Sequence, residues 1–277
     1  MSTLAGQSTE TAVDWHIDAL DVDAYLARLG IERPGKPTAR ALRDLATAHV
    51  LAIPFENVDV LLEQHRGISL DVVQDKLVGK KRGGYCYEHA HLFAAAAEQR
   101  LGFRVRRIVA RVQPRRPGPY THMSLLVEAE GVWHLVDVGF GAGMLQPMPL
   151  VDGAIVDQAG WPHRLTHREG WWTLQKQQGD EWEDLHAFTP NPSSPIDYEV
   201  YHHYTSTHPR SPFTGQLVVM RLEPGLSRQL VGHELTVRRP DGTEEKTEVA
   251  PGELGEALRQ LDIELTSEEL AALLERY

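Results

Sequence analysis

The sequence contains very little cysteine: Cys86 is the only one in 277 residues. An intramolecular disulfide is therefore excluded, and a free thiol is expected to persist best in a reducing cytoplasm. No apolar run is long enough to span a bilayer. Residues 1–14 lack the basic and apolar parts of a signal peptide, so they are interpreted as a polar N-terminal extension. We therefore expect a cytoplasmic protein with no membrane partner.

Positive charge is also scarce, because 28 Lys and Arg residues stand against 39 Asp and Glu residues, for a net charge of −11. So acidic a chain is not expected to bind nucleic acid. Basic residues nevertheless cluster at 80–82, 104–107 and 115–116. One such neighbourhood could bind a small polyanion, although a charge cluster taken alone is more often a solvated face.

The spacing of apolar residues changes at Gly102. Before it, helical spacing between capping residues and Pro or Gly breaks predicts helices over 15–30, 38–54, 70–78 and 87–101. After it, alternating segments bounded by turn residues predict strands, first in an antiparallel barrel or sandwich. These strands are predicted over 103–112, 122–128, 132–138, 171–177, 181–188, 216–222, 234–239 and 243–249, and two helices follow.

Cys86 lies at the start of the last predicted helix of the first part and directly follows Gly83, Gly84 and Tyr85. A helix N-terminus favours a thiolate through its unpaired N–H groups and its dipole. The two glycines allow a ligand or another segment to approach the backbone closely. The stretch is suited to a nucleophile, although a lone cysteine can equally be a small buried apolar residue.

A cysteine nucleophile needs a base and a group that orients the base. His122 begins a predicted strand, and Asp137 ends the next one in an apolar context, where a carboxylate needs a hydrogen-bonding partner. Antiparallel pairing across the turn at Gly131 would bring His122 and Asp137 together. Cys86, His122 and Asp137 therefore form a candidate triad, although the chain has 14 histidines and most are expected to be structural.

Other clusters carry weaker signals. His202 and His203, like His89 and His91, lack the accompanying ligands of a zinc site, so no metal is expected. The glycine-rich stretch 139–143 lacks the lysine of a P-loop and is interpreted as a close-approach loop beside the site. Glu88 is expected to form a structural ion pair or hydrogen bond.

Taken together, the ordered motifs closely resemble the arylamine N-acetyltransferase family. The resemblance extends from about residue 15 to the C-terminus, with one departure at Ala90, where many members have asparagine. The segments that carry it are Arg82-Gly83-Gly84-Tyr85-Cys86-Tyr87-Glu88, Thr121-His122, Asp137-Val138-Gly139-Phe140-Gly141, Pro54-Phe55-Glu56-Asn57 and residues 204–213.

The resemblance implies an α+β fold in three parts, namely a helical bundle at 15–102, a central antiparallel β-barrel at 103–200 and an α/β lid at 201–277. It implies acetyl transfer from acetyl-CoA to arylamines or arylhydrazines by a ping-pong reaction through an acetylated Cys86, in a monomer or homodimer. The acetyl-CoA contacts that it implies are Thr121, Phe140, Gly141, Tyr204, Arg210 and Ser211, with Arg115 and Arg116 as a further phosphate site, and the substrate contacts are Phe55, Tyr85 and Phe140.

Two other activities fit the same triad. An amide synthase would release an acyl chain from a carrier protein onto an aryl amine, and a cysteine hydrolase of the papain or transglutaminase type would let water attack. A catalytically silent protein on the same fold is the third alternative.

Overall fold

The computed structural model describes residues 14–33, 35–99 and 101–277. The predicted N-terminal extension lies almost wholly outside these residues. Eight α-helices are described, joined by 3-10 helices at Ile17–Ala19 and Pro251–Glu253 and a π-helical turn at Asp75–Gly79. They are α1 Val22–Leu29, α2 Ala39–Ala52, α3 Val58–Leu61, α4 Leu70–Gln74, α5 Cys86–Gln99, α6 Pro195–Thr207, α7 Leu254–Gln260 and α8 Ser267–Leu274.

The first helices begin and end as their capping residues predict. Asp21 caps α1 by accepting from the N–H of Ala24, and Gly30 ends it with a φ of 70°. Thr38 caps α2 in the same way. Helix α5 packs its apolar and small residues into the main core, and its first residue is Cys86. The predicted position of Cys86 at a helix N-terminus is therefore confirmed.

Thirteen strands are described, and they form two antiparallel sheets. They are β1 Phe55–Glu56, β2 Arg104–Val112, β3 His122–Ala129, β4 Val132–Val136, β5 Met148–Pro149, β6 Ile155–Gln158, β7 Trp161–Arg168, β8 Trp171–Gln178, β9 Glu181–Phe188, β10 Val218–Glu223, β11 Leu226–Val231, β12 Glu234–Arg238 and β13 Glu244–Glu248.

The larger sheet has eight strands in the order β5-β4-β3-β2-β9-β8-β7-β6 and curves into a nearly closed barrel. Ile108, Leu126, Leu165 and Phe188 are fully buried in the core between these strands. The predicted mixed α and β fold with an antiparallel barrel is confirmed at this level.

The smaller sheet joins the N-terminal helical region to the C-terminal region. Its order is β1-β10-β11-β12-β13, so β1 from the helical region pairs with a strand of the C-terminal region. Phe55 is opposite Met220 in this pairing. Helices α3, α7 and α8 share an apolar core with this sheet. Strand β1 is thereby fixed to the C-terminal strands.

Several elements depart from the sequence prediction. Helix α6 was not predicted: Pro195 is its first residue, and Ser194 with Asp197 forms a capping box before it. Strand β7 was not predicted, since His163 interrupts the apolar alternation of Trp161 and Leu165 although all three are buried. Also unpredicted are α3, β5, β6 and β11.

Helix α6 crosses residue 200, where the predicted barrel and lid meet. The division into a bundle, a barrel and a lid therefore stays a prediction. Among the helices that the structure describes, none is long and apolar enough to cross a membrane.

Candidate active site

Cys86 is held in place by the strand that precedes α3. The N–H of Glu56 donates to the carbonyl of Gly84 at 2.8 Å, and the N–H of Gly84 donates to the carbonyl of Pro54 at 3.2 Å. A side chain at Gly83 would collide with the Pro54 carbonyl and with Glu56. The glycine before the nucleophile is therefore needed for the close approach of another chain segment, one of the two roles that the sequence predicts for it.

Buried charges lie beneath this segment. Lys76 donates to both carboxylate oxygens of Glu88, at 3.0 and 3.2 Å, and Glu88 accepts from the N–H of Tyr85 at 3.0 Å. Burial alone would raise the pKa of Glu88, but Lys76 lowers it. Arg82 pairs with Glu56 at 3.0 Å. Glu88 thus forms the structural ion pair predicted for it, and it fixes the residue before Cys86.

Two buried histidines brace the same segment from the helix side. Tyr25 and His49 are 2.8 Å apart between Oη and Nδ1, and His49 Nε2 lies 2.8 Å from His89 Nδ1. His89 Nε2 in turn lies 3.0 Å from the carbonyl of Gly84. If each Nε2 carries the proton, every contact has one donor and one acceptor. Burial lowers the pKa of His49 and of His89, so both imidazoles are neutral.

His122 and Asp137 come together through the β3–β4 hairpin. Leu125 is opposite Val136, and continuing that register places Asp137 opposite Ser124, two residues along the same face from His122. His122 Nε2 donates to Asp137 Oδ2 at 2.7 Å. The predicted proximity of His122 and Asp137 across the turn is confirmed, although the two residues are diagonal neighbours and not directly opposite each other.

The electrostatics of this pair favour the charged form of both groups. Burial would lower the pKa of His122, but Asp137, with a further hydrogen bond to Cys86, raises it to about 10. Burial would raise the pKa of Asp137, but His122 and His186 hold it below its usual range. The His122 charge therefore stabilises the fold fully below about pH 6.5, and this contribution is lost as the pH rises toward 10.

The thiol lies between this pair and the α5 N-terminus. The Cys86 sulfur lies 3.8 Å from the carbonyl oxygen of Thr121, and the Tyr87 hydroxyl donates to the same carbonyl at 3.1 Å. Because Asp137 occupies Nε2 of His122, Nδ1 is the nitrogen left for the thiol. Gly139 lies against Cys86 so closely that a Cβ there would be 2.8 Å from the Cys86 Cα. The glycine-rich loop is therefore beside the site, as predicted.

A cavity of about 700 Å³ opens beside the thiol. Cys86 and His122 line it, whereas Asp137 is buried behind His122. The cavity is large enough for an extended ligand, and its lining combines apolar and aromatic residues with polar and charged ones of both signs. The other lining residues that the sequence singles out are Phe55, Thr121, Phe140, Tyr204, Arg210 and Ser211.

Two of the predicted contacts, Tyr85 and Gly141, do not line the cavity. The Tyr85 ring is fully buried and packs edge-on against Tyr87 and Phe213, so it supports the wall from behind. Gly141 lies against the Met220 side chain. Ser211 reaches the cavity, but its hydroxyl donates to the carbonyl of Thr205 and helps to build the turn after α6.

Only one of the three arginines predicted to bind phosphate lines the cavity. Arg210 lines the cavity and has no ion pair with any described residue. Arg115 is exposed, pairs with Asp184 at 2.6 Å and lies outside the cavity, as does Arg116. Lys176 and Arg238 line the cavity but were not predicted, because they come from strands that only the fold brings beside the site.

His186 is a further residue at the site that sequence reasoning missed. Its Nε2 lies 2.9 Å from Asp137 Oδ2. His122, Asp137 and His186 thus offer three donor atoms within 4.8 Å of one another, a geometry that could hold a metal. The hydrogen bonds among them account for this proximity without an ion, and the expected lack of a metal stays a prediction. A histidine in the predicted strand 181–188 was the only sequence signal.

Comparison with known proteins identifies the class of this chain. The N-acetyltransferase family model matches residues 38–270. Arylamine N-acetyltransferase of Mycolicibacterium smegmatis is 39% identical over 82% of this chain and 85% of the relative. The crystal structure of the Nocardia farcinica arylamine N-acetyltransferase is similar with a TM-score of 0.89 and 40% identity, covering 96% of this chain and 97% of that one.

A second similar structure is that of Mycobacterium marinum arylamine N-acetyltransferase in complex with CoA, with a TM-score of 0.83 and 34% identity over 92% of this chain and 99% of that one. The chain therefore belongs to the arylamine N-acetyltransferase family.

The charge state of His122 gives a direct test of this geometry. In the native protein, labelled with ¹⁵N and ¹³C histidine, NMR should show His122 still protonated at pH 8, because Asp137 favours its cation. In Asp137→Asn, the main group that raises the pKa of His122 is lost while burial remains, and the His122 midpoint should fall below about 6.5. Asp152→Asn removes a surface carboxylate and should leave His122 unchanged. A native His122 that titrates like an exposed histidine would contradict the assignment.

Proposed function

We propose that this protein transfers the acetyl group of acetyl-CoA to an aromatic amine or hydrazine by a ping-pong reaction through an acetylated Cys86. The observation that carries the proposal is the hydrogen-bonded pair of His122 and Asp137 beside a thiol that lines the cavity, in a member of this family. Cys86, His122 and Asp137 are the proposed nucleophile, base and orienting group.

The cavity suits acetyl-CoA as the co-substrate. A volume of about 700 Å³ next to Cys86 allows an extended thioester to enter. Three cations, Lys176, Arg210 and Arg238, line it together with two carboxylates, Glu183 and Glu244, and Arg238 is paired with Glu244 at 2.6 Å. The relative from Mycobacterium marinum is a complex with CoA. We propose that Arg210 and Lys176 bind phosphate groups and that Thr121, Phe140 and Tyr204 contact the rest of the molecule. Gly141 and Ser211 would shape that wall through their backbone.

In the first half-reaction, the Cys86 thiolate attacks the thioester carbonyl carbon, with its proton already held by His122. The new bond to Cys86 forms as the bond between the acetyl carbon and the CoA sulfur breaks, and His122 gives its proton to the departing thiolate. Asp137 keeps the imidazole oriented throughout and stabilises its cation.

In the second half-reaction, the nitrogen of the amine attacks acetyl-Cys86. His122, now neutral, takes the proton of the amine, and the Cys86 thiolate leaves, which restores the starting state. Aromatic amines are weakly basic and already neutral near pH 7, so their lone pair is free to attack. Phe55, Phe140 and Phe213 line the cavity and provide flat apolar surface for an aryl ring.

We extend the proposal to the arrangement of the three regions and to the location of the protein. The C-terminal region from about residue 201 would act as a lid over the barrel and bundle, because Tyr204 to Phe213 and Arg238 supply one wall of the cavity. A reducing cytoplasm suits an enzyme that depends on one free thiol. A monomer or homodimer is expected.

Neither the amide synthase nor the cysteine hydrolase is favoured, since the relatives named above are all arylamine N-acetyltransferases.

Initial-rate kinetics test the proposed reaction order. With acetyl-CoA and an aminosalicylate varied together, a ping-pong reaction gives parallel double-reciprocal lines, and Cys86→Ser should show no transfer above background. Intersecting lines would indicate a ternary complex and contradict the acetyl-cysteine route. Acetyl-CoA consumption that is independent of the amine would indicate the hydrolase. Transfer only from a carrier-protein thioester would indicate the amide synthase.

Replacement of the cavity cations tests the proposed phosphate contacts. Arg210→Gln and Lys176→Gln should each raise the KM for acetyl-CoA by about ten-fold, the effect of losing about 1.4 kcal/mol of binding, while the KM for a neutral amine stays the same. Arg115→Gln, outside the cavity, is the matched control and should change neither. Equal KM values in all three variants would place the phosphates elsewhere.

A further inference from the structure

His186 lies directly behind the candidate triad. It comes from β9, is fully buried and does not line the cavity. Its Nε2 is 2.9 Å from Asp137 Oδ2, the same oxygen that accepts from His122 at 2.7 Å. Asp137 therefore accepts two imidazole N–H groups on one oxygen, while its Oδ1 is buried without a partner among the described residues.

The protonation of His186 follows from its surroundings. A carboxylate oxygen can only accept, so Nε2 of His186 must carry the proton. Its Nδ1 is buried and has no partner in the described part of the chain. A second proton there would leave a buried N–H unsatisfied, which is costly. Burial lowers the pKa of His186, and the charge of His122 lowers it further although Asp137 opposes this. His186 is therefore a neutral donor, whereas His122 carries the charge.

The aromatic packing keeps the two imidazoles distinct. Their ring centroids are 5.1 Å apart, and the Phe140 ring lies edge-on to both, at 4.8 Å from His122 and 5.0 Å from His186. Phe140 and His122 line the cavity, so a ligand can reach His122 but not His186. His163 of β7 is also buried, and His186 contributes to lowering its pKa, after burial and Lys176.

We propose that His186 is a positioning residue of the triad: its N–H fixes the Asp137 carboxylate and keeps the proton that lies between His122 and Asp137 on His122, so that the His122 cation stabilises the Cys86 thiolate. The physical reason is a balance of charges around the thiol. His122 stabilises the thiolate, and the negative charge of Asp137 opposes it. A neutral N–H directed at Asp137 offsets part of that negative charge without adding a second cation. It also makes protonation of Asp137 harder.

The proposal rests on the triad of the proposed function, but its test uses neither acetyl-CoA nor an amine. The rate at which iodoacetamide alkylates the single cysteine, followed by intact mass from pH 4 to 9, reports thiol ionisation. His186→Leu removes the donor and should move the acid limb of this profile to higher pH by about half to one unit. One lost hydrogen bond to a charged group corresponds to about one to two units, and only part of this reaches the thiol, because the bond is to Asp137 and not to Cys86. His186→Gln retains an N–H near the position of Nε2 and should restore the native limb.

A matched control separates this effect from loss of packing. His163→Leu removes another buried histidine of the barrel, whose Nδ1 contacts the carbonyl of Trp161 and not Asp137. The acid limb of the alkylation profile of His163→Leu should coincide with that of the native protein. The proposal would be overturned if the acid limb of His186→Leu were not shifted from the native one. It would also be overturned if the acid limb of His186→Gln were shifted as far as that of His186→Leu. Where His186→Leu does not fold, His186→Phe replaces it.

A measurement on the native protein needs no variant. Histidine ¹⁵N shifts at pH 7 should show His186 neutral with its proton on Nε2 while His122 is cationic. A charged His186, or one protonated on Nδ1, would contradict the proposal.

Discussion

The buried negative charge of Asp137 is the constraint on which the site depends. A carboxylate removed from water must be compensated, and two imidazole N–H groups do this on a single oxygen. One of them, on His122, becomes a cation that reaches the cavity beside Cys86. The charge that is costly in the barrel core therefore places an ionised residue beside the proposed nucleophile.

The fold holds the thiol against this pair from three directions. The start of α5 carries Cys86, the β1 segment pairs with Gly84, and Gly139 leaves room for the Cys86 backbone. Because β1 also pairs with β10, the C-terminal region that lines the cavity is joined to the segment before the nucleophile. Buried ion pairs of Lys76 and Arg82 fix the same segment. Positioning of one sulfur atom thus involves all parts of the chain.

Sequence reasoning succeeded where the signal is local or follows from a single hairpin. The helix start at Cys86 is visible in the glycine pair and the apolar spacing after it, and the His122–Asp137 contact follows from one turn. It failed where the signal lies in long-range pairing. His186, Lys176 and Arg238 reach the site only through strand order in the two sheets. Tyr85, next to the cysteine in sequence, instead points into the core.

The central claim is that Cys86 carries the acyl group between two substrates. Intact-protein mass spectrometry after mixing with acetyl-CoA alone tests it most directly. The account predicts one added acetyl group, located on Cys86 by peptide mapping, absent in Cys86→Ala and lost when an arylamine is added. An unmodified protein whose thiol still reacts rapidly with iodoacetamide would contradict acetyl-CoA as the donor. An acetyl group that persists in the presence of the amine would contradict the transfer.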